Sequence, residues 1–159
     1  MPFINRRTFV IATSALTILP PQLALAATHQ IEMLNKHPSD NTRMVFHPRL
    51  LLVSAGDTVT FVPTDKAHNS SSIKGMVPEG GETWKGKINA EISVTLTKPG
   101  YYGYVCTPHQ ALGMVGLIVV EGDGKLDNLE AAKAVKHRGK SKQVFEQIWA
   151  EAESQGLTA

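Results

Sequence analysis

Cys106, Thr107, Pro108 and His109 are followed four residues on by Gly113 and Met114, so a thiol, an imidazole and a thioether fall within nine residues. With one more imidazole these donors make a trigonal His₂Cys set carrying a weak axial Met, the arrangement diagnostic of a mononuclear blue-copper site. His68, in Asp65-Lys66-Ala67-His68-Asn69, supplies that imidazole. The spacing Cys-x2-His-x4-Met is short enough to sit on one turn between two strands, and its flanks agree. Tyr101 to Val105 leads in and Met114 to Val120 leads out, both rich in aromatic or β-branched residues. Each residue alone has an ordinary use: a lone Cys as a small buried hydrophobe, a Met as core filler, a His beside Pro as a solvated loop residue. Their joint occurrence on one turn favours the metal reading.

The elements that must hold this turn read as short strands from Gln30 to Glu121, broken by turn residues, the pattern of an antiparallel sandwich or barrel. Val59 with Phe61, and Ile92 with Val94 and Leu96, place apolar side chains on one face with period two. Lys98-Pro99-Gly100 is a turn leading into the strand that ends at Cys106, and Pro78-Glu79-Gly80-Gly81 marks another loop. After Gly122-Asp123-Gly124 the composition shifts to helix formers. Leu126, Leu129, Ala132 and Val135, then Val144, Ile148 and Ala152 after a break at Arg138-Gly139, recur at helical spacing. The expected organisation is a leader over residues 1–26, a β-sandwich over 27–122, and a helical extension over 123–159 packed on the sandwich as a lid.

The leader is read from Arg6-Arg7, the apolar run from Phe9 to Leu19 and the small-residue pattern Ala24-Leu25-Ala26, which together mark a signal peptide cleaved after Ala26. The run is too short for a comfortable membrane span and Pro20-Pro21 interrupts it, so an exported protein without stable membrane insertion is expected. Asn5-Arg6-Arg7-Thr8-Phe9-Val10 also resembles a twin-arginine export motif, and both that route and the general secretory one stay open. Without Arg6 and Arg7, the 14 remaining basic residues balance 14 acidic ones, which argues against a nucleic-acid partner. One cysteine excludes an internal disulfide, so in an oxidising compartment Cys106 needs another protector, and copper ligation provides one.

The residues resemble the cupredoxins, and among them the pseudoazurins. Glu32 to Lys36, Met44-Val45-Phe46, Gly56 to Phe61, Lys74 to Pro78 and Lys87-Ile88-Asn89 look like pseudoazurin segments in the same order, and the likeness extends through the helical tail. Plastocyanins share the Cys-x2-His-x4-Met loop but neither the Asp65 to Asn89 region nor the tail. The resemblance implies an all-β, cupredoxin-like Greek-key sandwich or barrel with two short C-terminal α-helices. It further implies one type 1 copper held by His68, Cys106, His109 and Met114, and a monomeric one-electron carrier of the periplasm rather than an enzyme. The donors implied are c-type cytochromes, and the acceptor is nitrite reductase in denitrification.

The same resemblance assigns supporting residues. Asn69 ties the two ligand loops together by hydrogen bonds near the Cys106 sulfur, Thr107 is a further supporting residue, and Met44 matches a Met near the second ligand His. Pro108, having no N–H, cannot donate to the sulfur. Electrons are expected to enter through the ring edge of His109, within an uncharged patch that includes Ala111 and Leu112, a small surface of the kind used in transient redox encounters. Lys36, Lys66, Lys85 and Lys87 match or neighbour lysines that steer acidic partners. Three positions depart from the family pattern. Val105 replaces a Lys common before the ligand Cys and by alternation points toward the surface, which predicts weaker steering. Glu32 stands where relatives often have His, and the His37 to Arg43 loop is slightly longer.

Two further expectations stand beside this. A chain starting at Ala27-Thr28-His29 offers a free amine and a third-position His that chelate Cu(II) in a square-planar nitrogen set. The competing class is a periplasmic copper store or chaperone, which favours exchangeable, Met- or His-rich open ligands. A structural zinc site would want four strong ligands and finds a thioether poor, and a multicopper oxidase fragment lacks further His-rich motifs.

Overall fold

The computed structural model describes residues 25–159; the leader read from the sequence lies outside them except for its last two residues. Eight strands form two four-stranded sheets. They are β1 (Thr28–Lys36), β2 (Arg43–His47), β3 (Leu50–Ser54), β4 (Thr58–Val62), β5 (Ser71–Ser72), β6 (Ile92–Thr95), β7 (Gly100–Val105) and β8 (Val115–Glu121). The first sheet has the order β2-β1-β4-β6 and the second β3-β8-β7-β5. Two of the pairings are parallel, β1 with β4 and β3 with β8, so the sandwich is mixed and not purely antiparallel as its short strands suggest. The chain achieves this by crossing between sheets, as a Greek-key sandwich does.

The sheets enclose one core and the C-terminal segment encloses a second. Between the sheets lie Ile31, Met33, Phe46, Val59, Phe61, Tyr102, Tyr104, Ile118 and Val120, all buried. Phe46, Phe61 and Tyr104 pack edge to face with centroids 4.8–6.1 Å apart, an arrangement that adds to their area burial. Gly116 lies opposite Tyr104 in the β7/β8 ladder, and a Cβ there would stand 2.3 Å from the tyrosine ring, so the ring occupies the space a side chain would need.

On the outer face of the second sheet, Tyr101, Val105, Val115, Leu117 and Val119 pack with Leu129, Ala132, Phe145, Ile148 and Ala152. The last five come from two helices, α1 (Leu129–Ala134) and α2 (Lys140–Ser154). The buried positions of α2 are Ser141, Phe145, Ile148 and Ala152, spaced 4, 3 and 4, a stripe along one side of the helix. Phe145 rather than Val144 centres that stripe, and α2 is a full 15 residues. Leu126 falls outside α1, in a 3₁₀ turn, and is exposed. Val105 does not reach the surface: it is 8% exposed, because the helical tail covers the face toward which alternation points it.

Candidate metal centre

Because β1 and β4 run parallel, their C-terminal ends meet at one pole of the sandwich, and Asp65 joins them. Its backbone N–H donates to Met33 O at 3.0 Å and its carboxylate accepts the Asn35 N–H at 2.6 Å. The segment after β4 carries His68 into the interior there. Asn89 holds this segment from the other side. Its N–H donates to His68 O at 2.8 Å and its Oδ1 accepts the Ala67 N–H at 2.5 Å. The second loop leaves β7 at Cys106, forms a 3₁₀ turn over Thr107–Leu112, and re-enters at Met114. Pro108 fits the start of that turn, where an N–H has no partner to lose, and Gly113 ends it in the left-handed conformation at φ 89°. A Cys106 N–H to Met114 O bond of 3.0 Å closes the loop across its neck.

These two loops bring His68, Cys106 and His109 into one cluster. Cys106 Sγ lies 3.7 Å from His68 Nδ1 and 3.5 Å from His109 Nδ1, and the two Nδ1 atoms are 3.1 Å apart. Cys106, His68 and Met114 are fully buried, while His109 is only partly so. A cation centred in this triangle stands about 2 Å from all three atoms, a metal–nitrogen bond length and slightly under the metal–sulfur one. The donor set is soft thiolate plus imidazole, which suits copper, so the residues present fit the metal.

The surroundings prepare the donors. Asn35 Oδ1, 3.0 Å from His68 Nε2, accepts a proton on that nitrogen and thereby leaves Nδ1 with its lone pair facing the cluster. Asn35 was not singled out by sequence reasoning; its one signal is a polar residue ending the apolar alternation of β1. Burial pushes the Cys106 thiol up, against which the backbone N–H groups of Asn69 and His109 stabilise the thiolate. Burial likewise lowers the His68 pKa, helped by the neighbouring His109 and opposed by Asp65, so the ring stays neutral as a ligand must.

Asn69 spans the two loops. Its Oδ1 accepts the Thr107 N–H at 2.8 Å, and its Nδ2 donates to Thr107 Oγ1 and to Gly86 O, each at 3.0 Å. Gly86 itself packs closely on Ser70, since a Cβ there would lie 2.8 Å from Ser70 O. Met44 is half-buried against the core between the sheets. Pro108, Ala111 and Leu112 are exposed around His109, Leu112 by half of its surface. Lys36, Lys66, Lys85 and Lys87 are all exposed. Lys36 follows Asn35, Lys66 precedes His68 by two residues, and Lys85 and Lys87 flank Gly86.

The square-planar site at Ala27-Thr28-His29 is not assembled. Thr28 and His29 belong to β1 and pair with Thr58 and Val59, while His29 Nε2 is taken up 2.9 Å from Asp57 Oδ2. The extended backbone of β1 and the Asp57 contact of the imidazole hold these groups away from the arrangement such a chelate needs.

A two-sheet sandwich that presents two imidazoles and one thiolate from loops at one pole is a cupredoxin. The family model for copper binding proteins of the plastocyanin/azurin family matches residues 31–121. Pseudoazurin of Paracoccus pantotrophus is 46% identical over 132 residues, 83% of this chain and 87% of that protein. Pseudoazurin of Methylorubrum extorquens is 41% identical over 148 residues, 93% and 97%. A solved pseudoazurin from Sinorhizobium superposes with a TM-score of 0.76 at 54% identity, covering 80% of this chain and 98% of that one. The chain therefore belongs to the pseudoazurins, within the plastocyanin/azurin family. Its cofactor is copper in a type 1 site, its work is electron transfer, and its counterparts are redox proteins. Among the described residues no helix is long and apolar enough to cross a membrane.

Proposed function

We propose that the chain is exported to the periplasm and there carries single electrons as a monomer, from c-type cytochromes to a nitrite reductase of denitrification, without turning over a substrate of its own. The observation that carries this is the convergence of His68 Nδ1, His109 Nδ1 and Cys106 Sγ within 3.7 Å of one another in a buried pole of a rigid sandwich. His68, Cys106 and His109 would hold the metal as its strong ligands, and Met114, at the neck of the loop, would add a weak thioether. When bound, copper supplies the one-electron couple between its cuprous and cupric states. The protein's part is to keep one geometry for both states. Asn35 fixes the His68 tautomer, Asn69 locks one loop to the other, and the Cys106–Met114 bridge prevents the loop from opening. Water is excluded by the burial of Cys106, His68 and Met114, which leaves the edge of His109 as the way in and out for electrons.

Lys36, Lys66, Lys85 and Lys87 surround that edge and orient an acidic partner. The cleavable leader and the location rest on the sequence motif and on the family. Visible absorption and EPR spectra of the Cu(II)-loaded protein, before and after one-electron reduction, test the reading. An intense thiolate-to-copper band with narrow hyperfine splitting, bleached reversibly, is the expected result. A weakly coloured, redox-silent complex overturns it in favour of a copper store.

A further inference from the structure

The pole opposite the metal holds a buried carboxylate with an unusual partner. Asp57 is 5% exposed. Its Oδ1 accepts the backbone N–H of Ala27 at 2.8 Å, and its Oδ2 lies 2.9 Å from both the Ser54 N–H and His29 Nε2. The residue cannot swing away, because its own N–H donates to Ser54 O at 3.1 Å and its carbonyl accepts the Leu96 N–H at 2.9 Å. Just ahead of Ala27, Leu25 is 93% exposed and Ala26 is exposed, so the chain becomes open to solvent within two residues of the carboxylate. That boundary coincides with the Ala24-Leu25-Ala26 processing motif.

We propose that Asp57 is the receptor for the α-ammonium group created when the chain is cut between Ala26 and Ala27, an inference that rests on that reading of the cleavage point. Hydrolysis breaks the Ala26 C to Ala27 N bond. Water gives its oxygen to the Ala26 carboxylate, and the acid proton ends on the new amine. The nitrogen that was a neutral amide donor 2.8 Å from Oδ1 thereby becomes a cation at the same place, and the hydrogen bond becomes charge-assisted on both sides. No rearrangement is required, since the site is already formed in the uncut chain. The effect of the cut is to fasten the residue that precedes β1 to the turn that joins β3 to β4 and accepts the Leu96 N–H after β6. The amine so held is withheld from metal ions, as His29 Nε2 already is by Asp57.

The test uses the full gene, exported and processed, with the copper-loaded product isolated. Mass spectrometry fixes the terminus. A variant with one Gly inserted between Ala26 and Ala27 yields a product whose Ala27 nitrogen is an amide again, and Asp57→Asn is made in both backgrounds. The wild-type product is expected to melt about 3–6 °C above the Gly-extended one, and the gap to close in Asp57→Asn. Labelling of the folded terminus by an N-terminus-selective aldehyde is expected to be at least about tenfold slower than in the unfolded chain, which decides the matter even if Asp57→Asn fails to fold. Equal melting temperatures with the terminus at Ala27, a gap that persists in Asp57→Asn, or unprotected labelling overturns the receptor. A terminus elsewhere overturns the cleavage reading instead.

Discussion

Asn35 Oδ1 lies 3.0 Å from His68 Nε2, joining the last turn-facing residues of β1 to the deepest imidazole of the metal centre. That single contact decides which ring nitrogen of His68 carries the proton. Replacing Asn35 by Ala leaves the ring free to protonate Nδ1 and to rotate. Cu(II) affinity, measured by competition with a chelator, is expected to fall by about 10- to 100-fold, with EPR broadening that reports a loosened site.

Asn69 makes two hydrogen bonds to Thr107 across the ligand loops and a third to Gly86, and its truncation strands the Thr107 N–H and the buried Gly86 carbonyl. Asn69→Ala is expected to destabilise the protein by about 2–3 kcal/mol, read from urea unfolding of the apoprotein. A loss confined to the copper-loaded form would show instead that Asn69 acts through the metal.

The metal turn and its near partners are legible in the sequence because Cys106, His109 and Met114 share one short loop, whose spacing alone aims them together. His68 follows from the chemistry that the set still lacks. Asn35 is not legible in the same way, since it reaches His68 across 33 positions and only the parallel pairing of β1 with β4 brings it there. Val105 misleads for a related reason. Alternation distinguishes inside from outside only when one face of a strand meets water, and all six residues of β7 are buried. The tail's periodicity shows that helices form, but the face they cover is set by tertiary contacts with β7 and β8.

Asp57 gives the protein an acid limit. Its carboxyl is held below the usual range by the N–H groups of Ala27 and Ser54 and by His29. A depressed folded-state pKa contributes stability that is fully present above the unfolded value of about 3.9 and is lost as pH falls through the folded one. Asp57→Asn is expected to flatten the stability profile in that acid window while leaving the visible spectrum unchanged. A profile parallel to wild type below pH 4 would place the acid sensitivity elsewhere.

Lys66 and Lys87 lie within two residues of groups that contact the centre, yet their side chains are exposed. Reversing both to Glu is expected to lower the second-order rate of electron transfer to an acidic partner about tenfold at low ionic strength, and to reduce its dependence on salt. Stopped-flow mixing at two salt concentrations checks this. Leu112→Ala, which trims the half-exposed side chain near His109, should slow the same step at all salt concentrations.

Phe145 is buried in the second core with Val105 and Val115. Phe145→Ala is expected to cost about 3–5 kcal/mol, measured by thermal or urea unfolding, while the blue colour of the folded fraction is retained. An unfolding transition of the helical tail separate from that of the sheets would contradict a shared core.

The C-terminal helix also bears on the ligand loop from outside. The Ser141 hydroxyl donates to the Gln110 carbonyl, and a side chain at Gly113 would run into Val144 and Lys140. Cys106 and His109 therefore lie on a loop whose bracing residues, on α2, are synthesised after it. A nascent chain stalled short of α2 has its thiol and both imidazoles translated but no support on their outer side. A chain cut short of α2 is thus expected to be a poor scavenger of copper.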